Sequence, residues 1–125
     1  MASTYGTALV IDASASESNE ILLNGADLVN LRVSAWTAAG LFIKFRMDAS
    51  DSLGPQAFLG ADGSLSFIEI SAADMALIVA TGHSITLDPA LFIGAYSFSI
   101  ASGVPGTEVN QGSERVFTYR ASKVL

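Results

Sequence analysis

The sequence contains no cysteine, one histidine and few charged residues. Without cysteine there can be no disulfide, thiolate catalyst or cysteine-ligated metal site. Charged residues make up 14% of the chain and hydrophobic residues 50%, whereas an ordinary soluble domain has roughly 25% charged residues. The mean hydropathy is +0.47. Because interface cores are depleted in charge, this composition predicts that neighbouring subunits cover part of the surface.

The sequence also lacks a membrane-spanning run and an excess of positive charge. Its longest charge-free stretch, Pro89 to Thr107, is interrupted by Gly94, Gly103 and Pro105, whereas a spanning helix needs about 20 predominantly apolar residues. The N-terminus has no secretory signal pattern, which predicts synthesis in the cytoplasm. Twelve acidic residues against six basic ones give a net charge of −6, which opposes phosphate binding. We therefore expect neither a membrane nor a nucleic acid as partner.

The pattern of short apolar runs between turn residues predicts one all-β domain over residues 1–125. Alternation is clearest in Leu41 to Asp48 and is also present in Leu28 to Ala35. About eight strands are expected to form an antiparallel β-sandwich. A jelly roll is the more specific topology that we expect for such a sandwich. At most one short helical turn is expected, at the capping-box pattern that begins at Ser71. Residues 1–6 are predicted to form a flexible or exchanged arm. The predicted strands are Thr7–Ile11, Glu20–Leu23, Leu28–Ala35, Leu41–Asp48, Ser64–Ile70, Ser84–Leu87, Ala95–Ala101 and Arg115–Ser122; Met75–Ala80 is a further apolar run, beside the capping-box pattern, whose conformation is left open.

No residue pattern in the sequence predicts catalysis. His83 follows Gly82 and is best interpreted as a turn residue, and the nucleophile pattern G-x-S-x-G is absent. Two pairs of acids, Glu69 with Asp74 and Asp48 with Asp51, are candidates for glycosidic chemistry, but exposed turn acids explain them more simply. No nucleotide loop, zinc spacing or EF-hand pattern occurs. We therefore expect a protein that is not an enzyme and that needs no cofactor or metal.

Aromatic and arginine residues are the candidates for contacts with partners. Phe42 points with the polar set of its strand, so it is either a partly covered aromatic or an intersubunit contact. The rings of Trp36, Tyr96 and Tyr119 favour core or interface packing over a sugar-stacking surface. Arginine suits carboxylate pairing across strands or subunits, although a solvated charge is equally consistent. The predicted interface residues are Trp36, Phe42, Phe92, Tyr96, Arg115, Tyr119 and Arg120.

Several short segments follow one another in a recognisable order: Ala35-Trp36-Thr37-Ala38-Ala39, Leu87 to Ala95, Ser102-Gly103, Val109-Asn110-Gln111 and Arg115. As an ordered set, they resemble small structural proteins of tailed bacteriophages and prophages. The chain departs from that pattern where relatives tend to have an aspartate-glycine turn, since Asp48 to Asp51 here leads to Leu53-Gly54-Pro55, and where Ala101 replaces a basic residue. These departures fall in loops, where binding specificity usually resides.

The resemblance implies a virion component. Together with the composition it suggests a capsid decoration or cement protein at the capsid surface. Its partners would be the major capsid protein and copies of itself, as a trimer or a dimer. The alternative is a receptor- or glycan-binding module of a tail, baseplate or head fibre. A small hydrolase acting on the cell envelope is a third hypothesis, which no motif supports.

Overall fold

The computed structural model describes residues 3–55, 57–59, 61–63, 65–67, 69–87 and 95–123. Short strands dominate this part of the chain, and one helix interrupts them. The elements are β1 (Ser3–Ile11), β2 (Ile21–Leu22), β3 (Leu28–Arg32), β4 (Leu41–Arg46), β5 (Gly54–Pro55), β6 (Ala57–Leu59), β7 (Leu65–Phe67), β8 (Glu69–Ile70), α1 (Ala72–Thr81), β9 (Ile85–Leu87), β10 (Ser97–Val104), β11 (Thr107–Glu108) and β12 (Arg115–Ser122).

The strands form two antiparallel sheets, which confirms the predicted all-β sandwich. The first sheet has the order β1-β12-β3-β9. The second sheet has the order β11-β10-β4-β5, with β2 paired to β10 and β8 paired to β4. A separate hairpin joins β6 and β7. The more specific jelly-roll topology stays a prediction.

The core lies between the two sheets, where the alternating residues of each sheet meet. Leu41, Ile43 and Phe45 of β4 lie on this inner face, as their alternation predicted. Phe98 of β10 joins them from the same sheet, and Phe117 of β12 enters from the first sheet. All five side chains are at most 4% exposed. Because apolar burial stabilises by about 25 cal/mol per Å², this layer is the main source of stability in a chain without disulfides.

The helix α1 contains an apolar run whose conformation the sequence left open. Met75–Ala80 lies in this ten-residue helix. Ser71 caps the helix, since its hydroxyl accepts the N–H of Asp74 at 3.1 Å. Gly82 ends it in the left-handed conformation, with φ of 70°. The capping-box pattern at Ser71 thus correctly predicted where the helix starts. The helix has ten residues, whereas only a short helical turn was expected. Among the described helices, none is long and apolar enough to span a membrane.

Two N-terminal segments are tied to the sheets. Residues 3–6, predicted to belong to an arm, pair with β12 of the same chain. Whether that segment exchanges between copies stays a prediction. In the serine-rich link, residues 13–19, Ser18 is buried and bonds to β10. Its N–H donates to the carbonyl of Ile100 at 2.8 Å, and its Oγ accepts the N–H of Ile100 at 3.0 Å. The link therefore extends the edge of the second sheet.

Candidate functional site

Gln111 is the centre of a hydrogen-bonded corner where distant segments meet. Its side chain is buried, and its Oε1 accepts the N–H of Thr37 at 2.6 Å and the Nε–H of Arg115 at 3.2 Å. Its Nε2 donates to the Oγ of Ser102 at 2.8 Å and to the carbonyl of Thr37 at 3.2 Å. All four side-chain hydrogen-bonding positions of the amide are thereby used. We call Thr37, Ser102, Gln111 and Arg115 the glutamine corner.

Four of the segments that carry the resemblance to phage structural proteins meet at the glutamine corner, whereas most of the fifth, residues 88–94, lies outside the described residues. Trp36 packs edge-on against Phe117, with 5.5 Å between ring centroids, and donates from Nε1 to the carbonyl of Ala39 at 2.9 Å. Gly103 has φ of 106° and leaves no room for a side chain, because a Cβ would lie 2.5 Å from the carbonyl oxygen of Thr107. These contacts fix the backbone. The described residues of these four segments therefore serve the fold at this corner.

Paired charged side chains lie on the outer face of the second sheet. Lys44 pairs with Glu17, and Arg46 pairs with Glu20. Lys44 also lies 5.9 Å from the centroid of the Phe42 ring. Phe42 is only 1% exposed, so its ring offers little surface to a partner in the chain as folded, and its role at an interface stays a prediction. Lys44 packs near the aromatic ring on this face.

Glu20 is held ionised within that face. A hydrogen bond from the Ser97 hydroxyl and the pairing with Arg46 lower the pKa of Glu20 from its ordinary value, although partial burial opposes the shift. Near these groups, the Oγ of Ser99 is buried without a hydrogen-bond partner among the described residues. A lone buried hydroxyl is a cost to the fold. Neither group offers a reactive arrangement.

One end of the second sheet exposes a group of large apolar side chains. Leu22 and Met47 are each 49% exposed, and Tyr96 is 37% exposed. The backbones of these residues lie close together, because Ser97 pairs with both Leu22 and Arg46. The Arg46 guanidinium lies 5.2 Å from the centroid of the Tyr96 ring. We call Leu22, Met47 and Tyr96 the apolar end.

The outer face of the first sheet carries an open groove of about 240 Å³. Its register places Arg120 opposite Asn30 and Thr118 opposite Arg32. The amide of Asn30 donates to the Oγ1 of Thr86 at 2.7 Å. Arg32 and Arg120 are both exposed and line the groove, whose surface is nevertheless mainly apolar. Its lining residues are Asn30, Arg32, Ser84, Thr118 and Arg120, together with Leu31 and Tyr119, which pack toward the core.

The structure separates the predicted interface residues into several surroundings. Trp36 and Arg115 meet at the glutamine corner, where both are partly buried. Tyr96 belongs to the apolar end, and Tyr119 and Arg120 line the groove. Phe92 lies outside the described residues. Their roles at an interface stay predictions.

Sequence reasoning missed the groove. Asn30 and Arg32 lie in the alternating segment Leu28 to Ala35, but no function was assigned to them. A usable signal was present, because Arg32 and Arg120 each occupy a polar position of a predicted strand. Only the pairing of β3 with β12 brings them together. Within the residues that the structure describes, no group of three or more His, Asp or Glu side chains could hold a metal ion.

Comparison with known proteins shows a likeness of fold. No family model and no curated protein sequence matches the chain. Among solved structures, the chain is similar to the SPBc2 prophage-derived protein YomS, with a TM-score of 0.55 and 13% sequence identity. The match covers 96% of this chain and 92% of YomS. The two proteins thus share an architecture along nearly their whole lengths.

Proposed function

We propose that this protein is a structural component of a tailed-phage or prophage virion, and that it acts as a decoration protein on the outer capsid. The observation that carries the proposal is the fold shared with a prophage-derived protein over 96% of this chain. The low charge supports an assembly role, since 14% charged residues leave large uncharged areas of surface. In this role the protein is not an enzyme and uses no cofactor.

The apolar end is the part of the described surface best suited to contact the capsid. Leu22 and Met47 expose about half of their side chains, and burial of such surface stabilises a complex by about 1 kcal/mol for each side chain. Tyr96 adds a ring with a polar hydroxyl, a type enriched at interfaces. The protein is made in the host cytoplasm and strengthens the shell by adding these contacts to the capsid lattice.

Reconstitution tests this function. Capsids from particles that lack the protein are mixed with the purified chain, and bound protein is measured by co-sedimentation. We expect saturable binding and a higher capsid melting temperature. Met47→Ser and Tyr96→Ser should each weaken binding about fivefold, which corresponds to about 1 kcal/mol. Leu77→Ser is the matched control, because Leu77 is 62% exposed on the helix and lies outside the apolar end. Capsids that bind no protein would contradict the proposal.

The alternative role as a glycan-binding module finds less support in the groove. Sugar sites commonly use an exposed aromatic ring as a stacking platform. Tyr119, the aromatic residue that lines the groove, is half-buried and packs toward the core. If the protein binds a glycan on an array and Arg32→Glu abolishes that binding, the result would favour the glycan-binding role over capsid decoration.

A further inference from the structure

The side chain of Arg46 is held by contacts from three segments of the chain. Its Nη2 pairs with the Glu20 carboxylate, which also accepts a hydrogen bond from the Ser97 hydroxyl. Its Nη1 donates to the carbonyl of Ala49 at 3.2 Å, and its Nε donates to the Oγ of Ser97 at 3.5 Å. Each nitrogen of the guanidinium thus has a partner, and these contacts around its edge fix the position of the group.

The guanidinium held in this way lies over the ring of Tyr96, a member of the apolar end. The Cζ of Arg46 is 5.2 Å from the ring centroid, which is within the range of about 6 Å for a cation–π contact. The backbones of the two residues are also joined, because the N–H of Tyr96 donates to the carbonyl of Arg46 at 2.8 Å. Tyr96 is nevertheless 37% exposed. The chain therefore holds one part of the ring and leaves another part open to a partner.

The same strand carries a second cation in a similar arrangement. Lys44, two residues before Arg46 in β4, pairs with Glu17 and lies 5.9 Å from the centroid of the Phe42 ring. Phe42 is 1% exposed, whereas Tyr96 is 37% exposed. Both cations therefore contact an aromatic ring, but of these two rings it is the one beside Arg46 that offers surface to another molecule.

We propose that Arg46 is a positioning residue for the apolar end, and that it holds the Tyr96 ring in the orientation in which this ring contacts the capsid. Binding otherwise has to immobilise side chains that move freely in the unbound protein, which costs binding free energy. A ring that is already held avoids this cost, and rigid aromatic side chains are frequent anchors of interfaces. Arg46 acts through Tyr96 and needs no capsid contact of its own. The inference rests on the decoration role proposed above and names the residue that prepares its contact surface.

A double-mutant cycle, measured by capsid co-sedimentation, tests the proposal. Arg46→Gln should weaken capsid binding about fivefold, because the Tyr96 ring must then be ordered on binding. The double variant of Arg46→Gln and Tyr96→Ser should bind no more weakly than Tyr96→Ser alone, since Arg46 acts through the ring. Arg46→Lys should weaken binding as well, because an ammonium on a flexible chain lacks the planar group and its fixed donors.

The mobility of the Tyr96 ring is a second readout, which needs no capsid. It is measured as an order parameter by NMR relaxation of isotope-labelled tyrosine, with Tyr96→Phe to assign the signal. In Arg46→Gln the order parameter should fall, because the ring loses the group that holds it. Lys44→Gln is the matched control, since it removes a paired cation from the same strand beside the buried Phe42. This control should change neither the Tyr96 order parameter nor capsid binding.

Full capsid binding by Arg46→Gln, or a Tyr96 ring that stays equally ordered without the guanidinium, would overturn the inference. A double variant whose loss of binding free energy equals the sum of the two single losses would overturn it too, because Arg46 would then act independently of Tyr96. Circular dichroism checks that each variant is folded, and Arg46→Lys carries the same test if Arg46→Gln does not fold. A wild-type chain that binds no capsid would contradict the decoration role, whereas the order parameter still decides whether Arg46 holds the ring, so the two failures are distinguishable.

Discussion

Replacing Gln111 with alanine tests how strongly the glutamine corner holds the fold. The substitution removes four hydrogen bonds, to two atoms of Thr37, the hydroxyl of Ser102 and the guanidinium of Arg115. A typical intramolecular hydrogen bond contributes about 0.5–1.5 kcal/mol net, and unpaired buried partners add a cost. Gln111 is 3% exposed, so water cannot easily replace the amide. We expect Gln111→Ala to lower the free energy of unfolding by about 2–4 kcal/mol.

Urea denaturation, followed by circular dichroism, measures this loss. The m-value should stay constant, because the surface exposed on unfolding changes little. Ser113→Ala is the control, since Ser113 is exposed in the same loop, and it should change the stability by less than about 0.5 kcal/mol. Gln111→Glu should fall between the two, because a carboxylate can accept from Thr37 and Arg115 but cannot donate to the Thr37 carbonyl. A Gln111→Ala protein as stable as the wild type would refute the reasoning.

Three further predictions concern single side chains. Gly103→Ala should lower the free energy of unfolding by more than about 2 kcal/mol, measured by urea denaturation, because a Cβ would lie 2.5 Å from the Thr107 carbonyl at a φ of 106°. Ser99→Ala should be neutral or stabilising in the same assay, because the buried hydroxyl that it removes has no partner among the described residues; a clear loss would reveal a hidden one. Because the folded-state pKa of Glu20 is lowered from 4.5, its stabilising effect is present above that pH and is lost as the pH falls through the folded-state pKa. Glu20→Gln should therefore flatten the acid side of a thermal-stability profile, and an unchanged profile would contradict this.

Strand positions could largely be predicted from the sequence because burial on one face imposes a period of two residues. Arg115–Ser122 was predicted with the same bounds that β12 has. The alternation of β4 also placed Leu41, Ile43 and Phe45 on the inner face. Phe42 did not follow the pattern because Lys44 and neighbouring segments cover the outer face as well. Periodicity identifies a strand but does not show that both of its faces are covered.

The helix and the sites required information that periodicity does not contain. The apolar run Met75–Ala80 is compatible with a strand or a helix. The N-cap at Ser71 favours the helix. Gln111 and Thr37 are 74 residues apart in the chain, so spacing could not predict their contact. The same holds for the groove, since Arg32 meets Arg120 only through the register of two paired strands. Side-chain types were readable from the sequence, but their convergence was not.

The copy number of the chain in purified virions tests the proposed function most directly. Particles are purified from the strain that encodes the protein, and its peptides are quantified against the major capsid protein by mass spectrometry with labelled standards. A decoration protein is expected in hundreds of copies, in a fixed ratio to the capsid subunit. A chain that is absent from the particles, or present in only a few copies, would contradict the decoration role.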